Sequence, residues 1–282
     1  MSAERHGLAR LELLATAILF STGGAAIKAT TLSGPQVACL RSGIAFLSVL
    51  LLLRAARTRW TRGAILVGAG YAATMILFVF STKMTTAANA IFLQSTAPIY
   101  LILIGPWLLR EANRKRDFVF LAVMGVGLLC FFVGTEPAVV TAPRPLEGNI
   151  LALFSGVTWA LTVAGLRYLG TRAPASSVQA VAAGNLIAFL ACMPWALPLV
   201  SATPKDWIVI VYLGSFQIAL AYFLLTRALR NVRALEAALL LLVEPVLNPV
   251  WAWIVHGERP GPWALLGGAI ILGATAVKAR FD

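Results

Sequence analysis

Residues 63–81 read GAILVGAGYAATMILFVFS, nineteen residues without a charged side chain. A helix of about 20 apolar residues matches the thickness of the hydrocarbon layer of a membrane, so such a run predicts a transmembrane helix. The composition of the whole chain agrees, because 60% of the residues are hydrophobic, 12% are charged and the mean hydropathy is +0.85. A soluble domain carries roughly 25% charged residues. The composition therefore excludes a water-soluble fold.

Nine further segments have similar length and hydrophobicity. The ten segments cover about 11–30, 36–53, 63–81, 87–108, 118–134, 148–168, 176–200, 206–226, 234–255 and 262–280. Ten helices of roughly 20 residues use about 200 residues, and the remainder is too short for a soluble domain. The runs are continuously apolar rather than alternating, which excludes a transmembrane β-barrel. We therefore predict an all-α fold, a polytopic membrane protein of ten transmembrane helices.

The net charge of +12 raises the question of nucleic-acid binding. The basic residues, however, are concentrated in short connections between the segments. If the N-terminus is cytoplasmic, the cytoplasmic side carries 17 Lys and Arg residues and the opposite side carries 5. This asymmetry is the positive-inside pattern of membrane proteins. We expect a multi-pass protein of the cell inner membrane with both termini cytoplasmic, surrounded by the lipid bilayer and without a nucleic-acid partner.

A proline-rich stretch divides the ten segments into two groups of five. Residues 135–147 read TEPAVVTAPRPLE and are predicted to form an extracytoplasmic linker between a first repeat, 1–134, and a second repeat, 148–282. Moving the sequence by 147 residues aligns Ala87 with Ala234, Ala90 with Ala237, Leu93 with Leu240, Pro98 with Pro245 and Glu111 with Glu258. Because each half has an odd number of spans, the halves must be inverted relative to each other. Many secondary transporters use inverted repeats; the alternative is a duplication without moving parts.

Three stretches of the chain resemble EamA-type repeats. Ile18–Lys28, followed by Leu40-Arg41, resembles the opening of such a repeat. Ala97–Glu111 and Val243–Glu258 resemble its closing pattern, in which a proline is followed downstream by Gly-Glu, with Arg110 replacing the glycine in the first copy. The chain is thus similar to ten-helix members of the drug/metabolite transporter superfamily. The resemblance implies export of amino acids, metabolites, sugar phosphates or drugs, and the length and aromatic-rich spans resemble the bacterial aromatic amino-acid exporter (YddG-type) branch.

The sequence offers no constellation typical of an enzyme. His6 and His256 lie at span ends without a neighbouring metal or triad partner, and Cys39, Cys130 and Cys192 fall within spans. Neither a Cys/His metal spacing nor a nucleotide-binding fingerprint occurs. We therefore expect no catalytic residues, no metal and no cofactor.

Two prolines inside spans predict where a cavity could form. Pro98 and Pro245 lack the N–H group that would donate to the carbonyl oxygen four residues earlier. A carbonyl left without a donor inside a membrane needs a partner or a water-lined cavity. We interpret both prolines as hinges or kinks beside a cavity; the alternative is that they only shape helix packing.

Two charged residues inside spans are further candidates. Glu244 lies near mid-membrane, where a charge costs roughly 2.5–3.5 kcal/mol. It either binds a substrate ammonium group or a proton, or it is a protonated side chain bonded to a neighbouring helix. Arg41 either extends its charged group to the membrane surface or pairs with a glutamate or a substrate carboxylate. Glu111 and Glu258, at span ends, are interpreted as structural.

Polar and aromatic side chains near the middle of other spans complete the predicted substrate-binding site. Its remaining members are Ser21, Thr22, Tyr71, Met75, Phe78, Gln94, Ser95, Trp159, Thr162, Gln217 and Asn248. Asn248 lies on the helical face of Glu244, four residues away. Aromatic side chains in a polar cavity suit an amphipathic solute; the alternative for each of them is ordinary packing between helices.

Together these features predict a secondary transporter that works by alternating access. It would export small organic solutes, above all amino acids with aromatic or large apolar side chains, and ten helices could form the pathway as a monomer. A passive channel or facilitator, a multidrug exporter of amphipathic cations, and an intramembrane enzyme or scaffold are the alternatives.

Overall fold

Most of the described residues are helical. The computed structural model describes residues 3–108, 115–133, 137–199, 202–228 and 240–281. The α-helices are α1 (Ala3–Ser21), α2 (Gly23–Lys28), α3 (Gly34–Leu52), α4 (Arg62–Met84), α5 (Ala87–Gln94), α6 (Ala97–Leu108), α7 (Lys115–Val133), α8 (Pro145–Arg172), α9 (Pro174–Ala196), α10 (Pro204–Tyr212), α11 (Ala221–Ala228), α12 (Val243–His256) and α13 (Pro262–Phe281). A 3-10 turn spans Arg54–Arg57 and a π-helix spans Leu213–Leu220. Extended structure within these ranges is one isolated bridge between Val139 and Ala142, so the predicted all-α class is confirmed.

The helices have the lengths that a membrane requires. Seven helical segments in the described ranges are long and apolar enough to cross a bilayer, and Ala87–Leu103 and Pro262–Lys278 are shorter apolar helices. The predicted span 234–255 is described only in part, as α12. Helix α1 begins at Ala3, well before the predicted span at about 11, because apolar sequence marks the membrane crossing and a helix can extend beyond it. The predicted polytopic fold is confirmed.

The loops gather at two ends of the helical bundle. One of them, which we call the linker end, contains residues 29–33, 85–86, 137–144 and 257–261. There the backbone N–H of Arg144 donates to the carbonyl oxygen of Met84 at 3.0 Å. Asp206, in the first turn of α10, accepts hydrogen bonds from the N–H and the hydroxyl of Thr31 at 2.7 and 2.8 Å. The first contact connects the linker to α4, and the second connects the two halves directly.

The opposite end, the terminal end, contains residues 53–61 and 173 together with the first and last described residues. Arg227 and Glu12 form an ion pair at 2.9 Å there, and Lys278 and Asp117 form another at 2.7 Å. The alternation of connections between the two ends shows that successive spans are antiparallel.

Repeat-equivalent helices run in opposite directions. Glu258, which follows α12, accepts hydrogen bonds from the backbone N–H of Ala87 at 3.2 and 3.3 Å. Because Ala87 is the first residue of α5, α5 leads away from the linker end whereas α12 leads towards it. Positions 147 residues apart therefore lie on helices of opposite direction, which is the geometry of an inverted repeat. Glu111 lies outside the described residues.

Small residues allow the helices to approach closely. A Cβ atom on Gly184 of α9 would lie 2.4 Å from Cδ1 of Tyr71 and 2.7 Å from the carbonyl oxygen of Gly68, both on α4. A Cβ atom on Gly267 of α13 would lie 2.6 Å from the carbonyl oxygen of Gly127 on α7. Glycine at such positions permits backbone contact between membrane helices. The bundle surface, by contrast, exposes large apolar side chains such as Leu51, Leu66, Val126 and Ile208, as a lipid-facing surface requires.

Candidate functional site

Four of the membrane-crossing segments are interrupted or distorted near their middle. A turn at Thr22 separates α1 from α2, a turn at residues 95–96 separates α5 from α6, and a turn at Leu242 precedes α12. The fourth distortion is the π-helix between α10 and α11, and π-helical turns are frequent at functional sites. Interrupted helices expose backbone groups and commonly form the binding sites of secondary transporters.

The two predicted prolines explain two of these interruptions. Pro98 and Pro245 each stand three residues after the start of a turn, at Ser95 and Leu242 respectively. Each therefore occupies the first turn of the helix that follows, where a missing N–H group is tolerated. The two turns are 147 residues apart and hence repeat-equivalent. A hinge function for these prolines stays a prediction.

Hydroxyl groups satisfy the carbonyl oxygens at the interruptions. Ser95 and Thr96 donate to the carbonyl oxygens of Ile91 and Leu93 at 2.7 and 2.6 Å. Ser21 and Thr22 do the same for Ile18 and Leu19, both at 2.7 Å. Three of these hydroxyl residues, Ser21, Thr22 and Ser95, belong to the predicted substrate site; in the structure they complete backbone hydrogen bonding, and a role in substrate binding stays a prediction.

A cavity lies among the interrupted helices. It encloses about 430 Å³ of empty space, including the part open to its surroundings. Its walls are formed by Phe20, Arg41, Thr74, Met75, Phe78, Gln94, Trp159, Gln217, Ile218, Tyr222 and Glu244. These residues come from α1, α3, α4 and α5 in the first half and from α8, the π-helix, α11 and α12 in the second. Both halves therefore contribute to one cavity.

Six of the predicted site residues line this cavity, namely Met75, Phe78, Gln94, Trp159, Gln217 and Glu244. Three others, Tyr71, Thr162 and Asn248, are buried and are not part of its lining. Tyr71 is buried and its hydroxyl accepts a hydrogen bond from the amide of Asn185 at 3.1 Å. Thr162 is hydrogen-bonded to Thr74 at 3.2 Å. Asn248 is buried against Gly24. A Cβ atom added to Gly24 would lie only 2.5 Å from the side-chain oxygen of Asn248.

Four lining residues had not been predicted: Phe20, Thr74, Ile218 and Tyr222. Tyr222 packs edge-to-face against Phe20 and against Tyr71, with ring centroids 5.2 Å apart in both pairs. Such aromatic pairs contribute about 0.5–1.5 kcal/mol each beyond the burial of their area. A signal for Phe20 existed in the sequence, because it directly precedes the polar pair Ser21-Thr22 in mid-span.

Two ionisable side chains of opposite kind, Arg41 and Glu244, line the cavity. Arg41 is only 1% exposed, and its guanidinium donates to the carbonyl oxygen and the sulfur of Met75 at 3.2 and 3.4 Å. It therefore does not extend to the membrane surface, which was one of the two interpretations. Glu244 is half-buried in the same wall. Neither residue forms an ion pair with another charged side chain in the described part of the chain.

A buried ion pair lies at the linker end. The ammonium group of Lys28 lies 3.3 Å from Oε1 of Glu258, and the two side chains are 4% and 3% exposed. Lys28 also donates to the carbonyl oxygens of Thr85, at 2.8 Å, and of Thr141 in the linker. His256 is hydrogen-bonded to the carbonyl oxygen of Ala25 at 2.8 Å. Glu258 thus holds α2, α5 and the linker together, in agreement with its interpretation as structural.

Burial raises the pKa of Glu258 above its ordinary value, and the nearby Lys28 offsets this effect only in part. Removing a carboxylate and an ammonium group from water costs free energy that a single contact does not fully return. The pair therefore joins the two halves without a large net stabilisation.

The sequence and the fold were compared with those of known proteins. The EamA-like transporter family matches the chain twice, over residues 9–133 and 146–278. The chain belongs to the EamA-like transporter family. This EamA-like transporter is 26% identical over 226 residues to an uncharacterized transporter of Archaeoglobus fulgidus, which covers 78% of this chain and 76% of that protein. It is 28% identical over 207 residues to the uncharacterized transporter YdfC of Bacillus subtilis, with 72% and 66% covered.

A solved crystal structure shares the fold of this EamA-like transporter. The two chains superpose with a TM-score of 0.66 over 97% of this chain and 96% of the other, at 18% sequence identity. Family membership and the names of the relatives establish a multi-pass membrane transporter. They do not name a solute, so assignment to the aromatic amino-acid exporter branch stays a prediction.

Proposed function

We propose that this protein exports small amphipathic solutes, above all amino acids with aromatic or large apolar side chains, by alternating access. One observation carries the proposal: both halves of an inverted repeat contribute to a single mid-bundle cavity at the helix interruptions. The cavity combines one carboxylate, one guanidinium group and two amide side chains with four aromatic rings. Apolar walls with a few placed polar groups are typical of sites for small organic molecules.

The arrangement of the two ends supports alternating access. The Lys28–Glu258 pair and the hydrogen bonds from the N–H of Ala87 in α5 to Glu258 connect the two halves at the linker end. Release of a solute on that side requires these contacts to separate. Inverted halves supply equivalent elements that can open and close the opposite ends in turn. The driving force is a proton gradient or the gradient of the solute itself.

An exporter of amphipathic cations is the second candidate. Glu244 and the aromatic rings of Phe78 and Trp159 in the cavity wall favour it, because a carboxylate and aromatic faces both attract organic cations. The buried Arg41 in the same wall disfavours it, because the guanidinium repels a solute that carries only positive charge.

Reconstitution of the purified protein in liposomes tests the proposed function. We expect counterflow of radiolabelled phenylalanine or leucine, competition by other large apolar amino acids, and weak competition by glycine and aspartate. Movement of tetraphenylphosphonium but of no amino acid would favour the cation exporter. Rates far above about 10³ per second, the high end of ordinary turnover numbers, would indicate a channel. The variant Glu147→Gln serves as a control, because the exposed Glu147 side chain forms an ion pair with Arg144 at the surface, away from the cavity.

We also propose that the protein acts as a monomer in the cell inner membrane with both termini cytoplasmic. The distribution of Lys and Arg, 17 against 5 in alternate loops, supports this orientation. Its partners would be the lipid bilayer and the transported solute.

A further inference from the structure

Arg41 is a buried cation without a counter-ion among the described residues. The two acceptors of its guanidinium, the carbonyl oxygen and the sulfur of Met75, are both uncharged. Its Nε atom is buried and lacks a hydrogen-bond partner among the described residues. A buried charge that is neither paired nor fully hydrogen-bonded is costly. The site is therefore incomplete as it stands, and an anion would complete it.

We propose that Arg41 binds the carboxylate of a zwitterionic solute whose ammonium group is bound by Glu244. The inference rests on the proposed function and defines its substrate class as free α-amino acids with apolar side chains. A guanidinium group presents a planar fork of N–H donors that matches the two oxygens of a carboxylate. Glu244, half-buried in the same wall, provides the complementary acceptor for an ammonium group.

The rest of the cavity fits the remaining parts of such a molecule. Phe20, Trp159 and Tyr222 provide an apolar and aromatic wall for its side chain. Gln217 also lines the cavity, and its amide oxygen Oε1 is buried without a partner in the described part of the chain. This oxygen can accept a second hydrogen bond from an ammonium group, which has three donors.

The positions of the two charges connect binding with conformational change. Arg41 lies on α3 in the first half, whereas Glu244 lies on α12 in the second. A zwitterion held by both would bridge the halves, which a solute with a single charge cannot do. A solute can shift a conformational equilibrium only through its different affinities for the two states. A zwitterion attached to both halves binds best in the state in which the spacing of Arg41 and Glu244 matches its two charged groups, and its affinities for the two states therefore differ.

Solute analogues test the carboxylate site in the unmodified protein. Counterflow of radiolabelled phenylalanine is measured against unlabelled phenylalanine, phenylalaninamide, phenethylamine and 3-phenylpropionate. The amide and the amine lack the carboxylate, and phenylpropionate lacks the ammonium group. Loss of one partner of a buried charge pair at a binding site weakens binding by about 30-fold or more. We therefore expect half-inhibition by each analogue at a concentration at least about 30-fold higher than for phenylalanine.

Variants then test whether Arg41 causes the preference for phenylalanine over phenylalaninamide. In Arg41→Gln, phenylalanine and phenylalaninamide should inhibit counterflow at similar concentrations. In Arg41→Lys, phenylalanine should remain the stronger inhibitor, by a smaller factor, because the positive charge is kept. Arg144→Gln removes an exposed guanidinium group at the linker end and should leave the ratio of the two half-inhibiting concentrations unchanged. If Arg41→Gln fails to fold, the analogue series on the unmodified protein still decides.

The outcomes separate this inference from the proposed function. Equal inhibition by phenylalanine and phenylalaninamide in the unmodified protein would overturn the carboxylate site while leaving amino-acid transport standing. An unchanged preference for phenylalanine in a folded Arg41→Gln protein would also overturn it. Transport of tetraphenylphosphonium without any transport of phenylalanine would overturn the proposed function itself.

Discussion

At the scale of single residues, a substitution of Glu244 tests whether its carboxylate binds the ammonium group of the solute or carries a proton. Glu244→Gln keeps the size and hydrogen-bonding capacity of the side chain but removes its charge. We expect the affinity for phenylalanine to fall roughly 30-fold or more, measured by half-saturation of counterflow, while inhibition by 3-phenylpropionate changes little. If transport is proton-coupled through Glu244, its pH dependence should also disappear. Full retention of the pH dependence would show that Glu244 is not the proton carrier.

Some of the residues that line the cavity can be predicted from the sequence and others cannot. Glu244, Gln217, Gln94 and Trp159 were found because polar or bulky amphipathic side chains in mid-span are unfavourable unless they face protein or water. Ile218 and Tyr222 were not predicted because apolar residues surround these helices on all sides, so the pattern does not distinguish a cavity-facing side chain from a packed one. Their role depends on which neighbours the fold brings together.

At the scale of helices, the proline-associated turns can be tested by restoring the missing donors. In Pro98→Ala together with Pro245→Ala, the new N–H groups can bond to the carbonyl oxygens four residues earlier, and a continuous helix gains up to about 3 kcal/mol. We expect lower turnover with little change in the half-saturating phenylalanine concentration, measured by counterflow. Pro204→Ala is the matched control, because Pro204 begins α10 and its N–H group would have no acceptor within the helix. Unchanged turnover in the double variant would contradict a hinge function.

Close helix packing gives a prediction about stability. Gly184→Ala would place a Cβ atom 2.4 Å from Cδ1 of Tyr71 and 2.7 Å from the carbonyl oxygen of Gly68, so α4 and α9 would have to separate. Overpacking of this kind typically costs about 1–3 kcal/mol, and thermal unfolding in detergent should occur at a lower temperature. In Gly125→Ala the new Cβ atom has no neighbour within 4 Å, so this variant should unfold no earlier than the unmodified protein. Equal unfolding temperatures for both variants would contradict the tight contact.

The interruptions also show how far a sequence predicts the shape of helices. The turns at residues 95–96 and 242 follow from Pro98 and Pro245, because proline removes a defined hydrogen bond. The turn at Thr22 and the π-helix at Leu213–Leu220 have no proline within three residues in the sequence. At the Thr22 turn the hydroxyl groups of Ser21 and Thr22 compete for backbone carbonyl oxygens. At both places, tertiary contacts determine whether the regular helix is interrupted.

At the scale of the whole molecule, the Lys28–Glu258 pair should control opening of the linker end. With the native cysteines replaced by alanine, Gln217→Cys reports access to the cavity by an impermeant thiol reagent added on the linker side. We expect Lys28→Met or Glu258→Gln to increase the labelling rate several-fold, because removing one partner leaves the other buried without compensation in the closed state. The exposed pair Arg144–Glu147 lies at the same end, so Arg144→Met is a matched control that should leave labelling unchanged. Unaltered labelling in both pair variants would exclude this gate.

The inverted arrangement itself makes a prediction about the two faces of the membrane. Arg59 and Lys205 are both exposed and occupy nearly equivalent places in the two repeats, since 59 and 206 are 147 residues apart. Arg59 lies at the terminal end and Lys205 at the linker end, so Arg59→Cys and Lys205→Cys should react with an impermeant thiol reagent from opposite sides of the membrane. The Lys and Arg distribution places Arg59 in the cytoplasm, and intact cells should therefore label Lys205→Cys but not Arg59→Cys until the membrane is permeabilised. Labelling of both from the outside would contradict the antiparallel halves, and with them the mechanism in which one cavity opens to each side in turn. The reverse pattern would leave the inverted halves intact and would overturn only the proposed cytoplasmic location of the two termini.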